Sequence, residues 1–263
     1  MIRELHEDDR QIILDYVYQK ERENMFIIGS LAEPDTFTTN RFFGLEDGGR
    51  LIGIAAGFGK WGSFVAHCQQ QDGINGLVDH VVLTGVKIES VPAFRRYAEP
   101  MVERLKSRHG RTPKRISEET IFLLGRRHFQ PVESAATIAT EADREAIARF
   151  YTASPSVSPT QKELARVKPD CTSVVHENGK VISVANVQGF SLHYAQIGGV
   201  GTLPAYRRKG YGRQCVGALC AHCFGKGVEG VILFTANTNV PAQNLYRSLG
   251  FQPIDDFLIV EYV

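Results

Sequence analysis

A run of basic residues and glycines around residue 210 has the composition of an anion-binding turn. It spans Gly201–Arg213 and lies between an apolar, strand-like stretch and a helix-like pattern. The first N–H groups of a helix have no partner within it and lie at the positive end of its dipole, and glycine lets the backbone come close to a bulky anion. The run therefore predicts a cradle for a diphosphate, with these residues: Arg207, Arg208, Lys209, Gly210, Gly212 and Arg213.

The spacing excludes two other phosphate-binding loops. No Gly-Lys-Ser/Thr follows the run, as a Walker loop requires, and Gly201 lies nine residues before Gly210 rather than the two of a dinucleotide fingerprint. A solvated basic helix start with a tight glycine turn accounts for the same residues. The run alone does not separate the cradle from this simpler interpretation.

Regular elements on both sides must position this turn. Alternating apolar stretches predict strands over residues 172–175, 181–188 and 193–200, a dense apolar strand follows over 228–235, and a helix begins near Pro241. The helix after the turn has one apolar face, formed by Val216, Leu219, Cys220, Cys223 and Phe224. Cys220 and Cys223 fall on that face without a second cysteine pair, so buried thiols are favoured over a metal site.

A second motif follows the next strand and favours the cradle. It spans Asn239–Phe251, and the two motifs together resemble the GNAT superfamily of acyl-CoA-dependent N-acyltransferases over residues 136–263. The cradle matches the family's Arg/Gln-x-x-Gly-x-Gly/Ala pattern, and the second motif matches Asn-x-x-Ala-x-x-Leu-Tyr-x-x-x-Gly-Phe. Residues 201–207 and 233–235 look most like the glycine N-acyltransferase-like branch.

The resemblance implies an α/β (α+β) fold, a twisted, mixed, mostly antiparallel sheet flanked by helices, with acetyl-CoA as co-substrate and no metal. Backbone groups of Val200 and Thr202 would pair with the pantetheine arm, and the N–H groups from Arg208 through Tyr211 to Arg213 would hold the pyrophosphate. Asn239 would contact the pantetheine or its thioester end. Tyr246 would protonate the leaving thiolate, for which a phenol is suited. A helix N-cap for Asn239 and a core position for Tyr246 are compatible with these roles.

The general base stays open. Many relatives place a glutamate on the third strand of the domain, where this chain has Gln196, an amide without useful basicity. His193 has a suitable side chain but adjoins a turn, and Glu177 and Glu229 are expected at the surface. A water relay or an already neutral amine would also serve.

The first half of the chain repeats the second. The hairpin pattern of residues 45–55 recurs at 175–185, and Glu7–Ile13 recurs as Glu141–Ile147. We therefore predict tandem GNAT-like domains over residues 1–133 and 134–263. The first copy has a cradle-like segment at Val91–Arg96 without the glycines, which predicts lost acyl-CoA binding and a structural role. Its offset from the cradle is 112 rather than 130, so an unrelated helix that opens at Pro92 is the alternative.

Acceptor contacts are sought in two places. The first is the segment after the first hairpin, which also fits loop or core positions, with these residues: Trp61, Phe64, His67 and Gln69–Gln71. The second is the segment over residues 154–160, which also reads as a flexible linker.

Composition limits the class of protein. The 263 residues carry 30 Lys and Arg against 29 Asp and Glu, a net charge of +1 that argues against nucleic acid or an anionic membrane as partner. No apolar stretch approaches the length of a membrane span, and five irregularly spaced cysteines without an export signal predict reduced thiols and a cytoplasmic location.

These observations predict an N-acetyltransferase that moves acetyl from acetyl-CoA to a primary amine of a small molecule, amino acid or peptide. The alternatives are a non-catalytic acyl-CoA-binding module and a transferase for a longer acyl-CoA. Self-association as a homodimer is left open.

Overall fold

The computed structural model describes residues 1–153 and 167–262. The chain divides into two compact units, Met1–Thr120 with the C-terminal segment from Asp255, and Ile121–Ile254. This division differs from the predicted boundary between residues 133 and 134. Residues 121–133 belong to the second unit, and the residues from Asp255 onward belong to the first. We call the two parts the first and the second unit. The segment over residues 154–160 lies outside the described residues.

The first unit contains six strands and five α-helices. Its strands are β1 (Ile2–Leu5), β2 (Asn40–Asp47), β3 (Arg50–Phe58), β4 (Ser63–Cys68), β5 (Ser90–Phe94) and the C-terminal β12 (Gln252–Glu261), in the sheet order β1-β2-β3-β4-β5-β12. Its helices are α1 (Arg10–Val17), α2 (Met25–Leu31), α3 (Thr36–Thr39), α4 (Gln71–Leu83) and α5 (Arg95–His109). The last strand completes this unit because Phe257, Leu258 and Val260 of β12 are buried and pair antiparallel with β5.

The second unit repeats this plan. Its strands, in sheet order, are β6 (Arg115–Gly125), β11 (Gly230–Ala236), β10 (Tyr194–Thr202), β9 (Lys180–Phe190), β8 (Thr172–Glu177) and β7 (Thr137–Ile138). Its described α-helices are α6 (Arg144–Ala153), α7 (Tyr211–Gly225) and α8 (Val240–Ser248). Strands β10 and β11 run parallel, whereas β7, β8, β9 and β10 pair antiparallel. The predicted mixed, mostly antiparallel sheet flanked by helices is confirmed.

The two predicted hairpins are confirmed and share their details. Strands β2 and β3 are joined by Gly48 and Gly49, and β8 and β9 by Asn178 and Gly179. All four turn residues have positive φ angles between 51° and 78°, which a type I′ turn requires. The register shifts one step before each turn, at Leu45/Glu46 and at Val175/His176.

The second predicted repeat also agrees in its contacts. A short 3-10 helix precedes α1 at Glu7–Asp9 and α6 at Glu141–Asp143, each closed by a capping box. Arg10 then donates to the Leu31 carbonyl, and Arg144 donates to the Val167 carbonyl. The tandem duplication of structure is therefore visible in individual hydrogen bonds.

The apolar face predicted for the helix after the cradle is confirmed. Val216, Leu219, Cys220, Cys223 and Phe224 of α7 all lie in the core of the second unit. Over the described ranges, no helix is long and apolar enough to cross a membrane. Within the same ranges, no three His, Cys, Asp or Glu side chains converge as metal ligands would.

Candidate active site

Strands β10 and β11 separate part of the way along the second sheet. They pair at Tyr194–Gln196 against Gly230–Ile232, although β10 continues to Thr202 and β11 to Ala236. Beyond Gln196, β10 stays on β9 with shifts of register, and Gly199 has a φ of 57°. Val200 and Thr202 therefore lie on the part of β10 that has left β11. A gap of this kind offers strand backbone to an extended ligand.

The predicted cradle lies at the end of β10, where α7 begins. Gly210 is the N-cap of α7 with a φ of 84°, a left-handed conformation that favours glycine, and Arg208 has a φ of 64°. None of the six backbone N–H groups from Arg208 to Arg213 donates a hydrogen bond within the described parts of the chain. These N–H groups are therefore free to bind an anion.

The charged side chains of this segment are all positive. The first turn of α7 carries no acidic residue, and the four basic side chains of the cradle are exposed and form no ion pair with any described residue. Arg207 Nε donates to the Thr202 carbonyl at 3.2 Å, and Arg213 Nε donates to Ser248 Oγ at 3.3 Å. Lys209 Nζ lies 5.5 Å from the centre of the Tyr206 ring. The cradle thus joins helix N–H groups to cations without carboxylate partners.

Gly212 has a separate reason to be glycine. A Cβ atom at this position would lie 3.1 Å from Leu245 Cδ1 and 3.5 Å from Thr202 Oγ1. The missing side chain lets the start of α7 approach both α8 and β10. That close approach places the start of α7, and with it the cradle, beside the end of β10.

Tyr246 lies in the core of the second unit, a position that the sequence analysis found compatible with its implied role. Its ring is 5% exposed and lies 6.0 Å from the Phe122 ring and 5.8 Å from the Phe251 ring. Burial raises the pKa of its phenol to about 12. The hydroxyl makes no hydrogen bond with any described residue. The phenol therefore stays protonated at neutral pH and has its proton available.

Asn239 is the N-cap of α8. Its Oδ1 accepts a hydrogen bond from the Ala242 backbone N–H at 3.3 Å. Its Nδ2 group has no partner in the described ranges. Asn239 thus caps the helix with one end of its amide and keeps two donors free.

The titratable side chains weighed as general base do not lie at the gap. His193 directly precedes β10 and Glu229 directly precedes β11, at the end where the two strands are still paired. With a rise of about 3.3 Å per strand residue, His193 lies about 10 Å before Gln196, where the gap opens. Glu177 ends β8 at the hairpin turn. Gln196, 5% exposed, donates from Nε2 to Gln188 Oε1 at 3.2 Å.

The first unit has a gap of the same kind, but its own side chains fill it. Strands β4 and β5 pair only at Ser63 and Ser90. A cavity of about 20 Å³, enough for a single water, remains between them. Its polar lining comes from Glu23, Asn24, His67 and Tyr97, and its apolar lining from Phe26, Ile27, Val65, Ala66, Pro92, Ala93, Phe94 and Phe257.

Glu23, His67 and Tyr97 of this lining form a partly buried network together with Arg96. His67 Nε2 lies 3.2 Å from Glu23 Oε2, the Tyr97 hydroxyl donates to the same oxygen, and Arg96 Nη2 donates to Glu23 Oε1 at 2.9 Å. Tyr16 Oη lies 2.9 Å from His67 Nδ1. Burial alone would raise the pKa of Glu23, but the bonds from His67 and Tyr97 and the charge of Arg96 outweigh it and lower the pKa to about 2.

The cradle-like segment predicted for the first half is wrong in its alignment. Val91–Phe94 belongs to β5 and pairs with β12, so Arg95 and Arg96 open α5 rather than the helix after β4. By element order, the counterpart of the cradle is the turn from Cys68 to Gln71, which has no arginine and no glycine. The sequence of Val91–Arg96 resembles that of the cradle because both segments carry basic residues at the start of a helix.

The acceptor candidates of the first half differ in their surroundings. Trp61 is 47% exposed between β3 and β4, Phe64 is fully buried, and His67 is 4% exposed in the network of the first unit. Gln69–Gln71 lead into α4. Sequence reasoning missed Glu23, Tyr16 and Tyr97, because they come from three distant segments with no common spacing.

Comparison with known proteins agrees with this architecture. Residues 137–251 match the model of the acetyltransferase (GNAT) family. No curated protein matches the sequence significantly.

Solved structures with the same fold extend over nearly the whole chain. A GCN5-related N-acetyltransferase from Sphaerobacter thermophilus has a TM-score of 0.64 at 17% identity and covers 99% of this chain and 94% of its own. A Drosophila protein has a TM-score of 0.71 at 14% identity, covering 100% and 98%. A tandem GNAT protein from the clavulanic acid biosynthesis pathway has a TM-score of 0.58 at 14% identity, covering 99% and 97%. At these identities the likeness shows the fold alone.

Proposed function

We propose that the second unit is an N-acetyltransferase that moves an acetyl group from acetyl-CoA to a primary amine of a small molecule, amino acid or peptide. The observation that carries this proposal is the junction of β10 and α7. Six consecutive backbone N–H groups without acceptors lie there beside four basic side chains without ion-pair partners in the described ranges, at the open end of a strand gap.

The parts of acetyl-CoA have matching partners at this junction. The N–H groups from Arg208 to Arg213 would hold the pyrophosphate, and the exposed part of β10 at Val200 and Thr202 would pair with the pantetheine amides as an added strand does. The free Nδ2 group of Asn239 would donate to the pantetheine or the thioester. The second unit therefore has unpaired hydrogen-bond donors for the parts of acetyl-CoA that accept hydrogen bonds.

The reaction needs little from the protein beyond positioning. The amine nitrogen forms a bond to the thioester carbonyl carbon, the carbon–sulfur bond breaks, and the thiolate takes a proton from Tyr246. Holding amine and thioester in reacting geometry supplies much of the rate, and a backbone N–H of β10, such as that of Val200, would stabilise the oxyanion. The proton lost by the amine passes to solvent directly or through water.

A second candidate, an acyl-CoA-binding module without catalysis, is favoured by one observation. Gln196 and Gln188 stand at the gap where a carboxylate base would act, and neither can accept a proton. Turnover measured with a panel of primary amines separates the two candidates, since a binding module releases no thiol from acetyl-CoA. The same assay with longer acyl-CoA donors tests whether acetyl is the preferred group.

The two exposed glycines beside α7 allow a matched test of the cradle. Gly210 precedes the helix with a φ of 84° and Gly227 follows it with a φ of 98°, and a Cβ atom at either position meets no atom within 4 Å. Glutamate at either position brings the same charge and a similar backbone strain, but only Gly210→Glu puts a carboxylate among the free N–H groups.

Calorimetry of acetyl-CoA and CoA with the three proteins decides the outcome. The wild type and Gly227→Glu should bind one acetyl-CoA per chain with similar affinity. Gly210→Glu should bind at least about tenfold more weakly, because its carboxylate repels the pyrophosphate and competes with it for the free N–H groups. Absence of binding by the wild type, or equal binding by all three proteins, would overturn the proposal.

A further inference from the structure

Four uncharged polar side chains form a cluster in the second unit that the proposed reaction does not use. Asn186 Nδ2 donates to the Tyr151 hydroxyl at 2.6 Å, and Gln196 Nε2 donates to Gln188 Oε1 at 3.2 Å. We call these four residues the amide cluster. Three carry primary amides and one a phenol, so the cluster offers both donors and acceptors without a net charge.

The amide cluster lies on the sheet face that α6 covers. Side chains along a strand alternate between the two faces. Ala185 and Val187 of β9 pack in the core that contains α7, so Asn186 between them faces the other way, toward Tyr151 of α6. The same alternation places Gln196 on this face, since both its neighbours on β10 belong to the α7 core.

The cluster borders the gap in which the thioester would lie. Gln196 is the last residue of β10 that pairs with β11, and Asn186 lies opposite Gly198, two residues further along β10. A Cβ atom at Gly198 would lie 2.4 Å from Gln188 Nε2. The glycine therefore leaves room for the Gln188 side chain to lie across β10 where the gap opens.

One end of the Asn186 amide is buried without a partner. No described residue donates to its Oδ1, which is shielded from solvent. Rotating the amide by 180° does not remove the deficit, because the Tyr151 hydroxyl can serve as donor or acceptor and the other end is then left unpaired. A buried polar atom without a partner is unfavourable, because it has lost its hydrogen bonds to water. Such a cost is expected where a ligand completes the pairing.

The geometry points to recognition of a carboxamide next to the reacting amine, so that the acceptor is an α-amino amide, as at the N-terminus of a peptide. A carboxamide supplies an N–H for Asn186 Oδ1 and a carbonyl for the amide donors of Gln188. A free carboxylate on the acceptor meets no cation among the four side chains of the amide cluster. This inference rests on the proposed N-acetyltransferase function and names its acceptor class.

The test uses two small amines as probes, glycinamide and glycine methyl ester. Their amines are of similar basicity and their sizes match, but only glycinamide carries amide N–H groups. Thiol release from acetyl-CoA gives kcat/KM for each probe with the wild type, Asn186→Leu and Thr172→Val. Thr172 is the control, because it lies opposite Asn186 on β8, on the side away from β10.

The wild type and Thr172→Val should prefer glycinamide by about tenfold or more, since a site with an unpaired acceptor rejects an analogue that lacks the donor. Asn186→Leu should react with both probes equally and bind acetyl-CoA as the wild type does. Asn186→Ala gives the same comparison should the leucine variant not fold.

Equal use of both probes by the wild type, or a preference that survives in the Asn186 variants, overturns the inference. Failure of both probes while other primary amines react also overturns it, and leaves the proposed function intact. Failure of every amine while acetyl-CoA binds removes the transferase function and the inference together.

Discussion

The ring and the hydroxyl group of Tyr246 have different surroundings. Its ring packs between Phe122 and Phe251 in the core of the second unit, while its hydroxyl has no hydrogen-bond partner in the described ranges. The hydroxyl oxygen is not among the buried polar atoms without a partner, and packing does not require it, because phenylalanine fills the same space. The hydroxyl is therefore best explained by the proposed proton transfer to the thiolate.

Tyr246→Phe should lower kcat by about a hundredfold, within the range that general acid catalysis contributes. Acetyl-CoA affinity and the free energy of unfolding should change little, because no hydrogen bond is lost. Steady-state thiol release and calorimetry measure the two effects separately. Turnover equal to that of the wild type would remove Tyr246 from the mechanism.

Glu23 illustrates the opposite case, a side chain with every partner present. Its carboxylate receives bonds from His67, Tyr97 and Arg96, and its pKa falls to about 2 from an ordinary value of 4.5. A carboxyl whose pKa is lower in the folded state stabilises the fold above its unfolded pKa. That stability is lost as the pH falls from about 4.5 toward 2.

Glu23→Gln should flatten the loss of stability of the first unit between pH 4.5 and 2. At pH 7 it should cost about 2 kcal/mol, less than the full shift implies because solvent screens part of the network. Urea unfolding can be followed by the fluorescence of Trp61, the one tryptophan of the sequence. Glu103→Gln changes an exposed carboxylate on α5 and should keep the wild-type pH profile; a Glu23→Gln profile that also matches the wild type would contradict the assignment.

At the scale of elements, the parts fixed by neighbours in sequence could be predicted. Asn178-Gly179 and Gly48-Gly49 specify their turns directly, because type I′ geometry requires positive φ at both residues. The apolar spacing along α7 and the glycines of the cradle were equally local signals. Each of these predictions depended on residues no more than about four positions apart.

The other features depend on contacts between residues that lie far apart in the sequence, which no local spacing predicts. The network around Glu23 joins residues from α1, β4 and α5 and the segment before α2, and Asn186 meets Tyr151 at a separation of 35 residues. Val91–Arg96 was misaligned for the same reason, since its pairing with the C-terminal strand decides that it is β5. Local charge pattern cannot report a partner more than a hundred residues away.

The two capping boxes allow an internally controlled experiment. Asp9 caps the start of the first unit and accepts two bonds from Arg3, and Asp143 caps the corresponding start of the second. Asp9→Ala should destabilise the first unit by about 1–2 kcal/mol. The Trp61 unfolding transition should shift to lower urea in Asp9→Ala and stay in place in Asp143→Ala. Equal shifts in the two variants would show that the units do not unfold separately.

At the scale of the molecule, the two units have the same plan and different gaps. The gap of the second unit is open at a cradle of free N–H groups, whereas the gap of the first unit is filled by its own side chains. We therefore expect one acetyl-CoA per chain. Two equivalent sites by calorimetry would contradict this interpretation of the first unit.

Removing the residues after Ile254 should unfold the first unit. The truncation deletes Phe257, Leu258 and Val260 from its core and leaves β5 without its antiparallel partner. The Trp61 transition should disappear, and a synthetic peptide of residues 255–263 should restore it. Acetyl-CoA binding by the second unit should persist, and a Trp61 transition unchanged by the truncation would show that β12 is dispensable.

The placement of β12 also sets an order for synthesis. Domains generally form in sequence from the N-terminus as the chain leaves the ribosome, yet here Arg96 bonds to Asp255 across 159 residues. The first unit can be completed only after the residues of the second unit have been made. While they are being made, the nascent chain carries a β5 edge that lacks its β12 partner, and the emergence of β12 is the event that closes it.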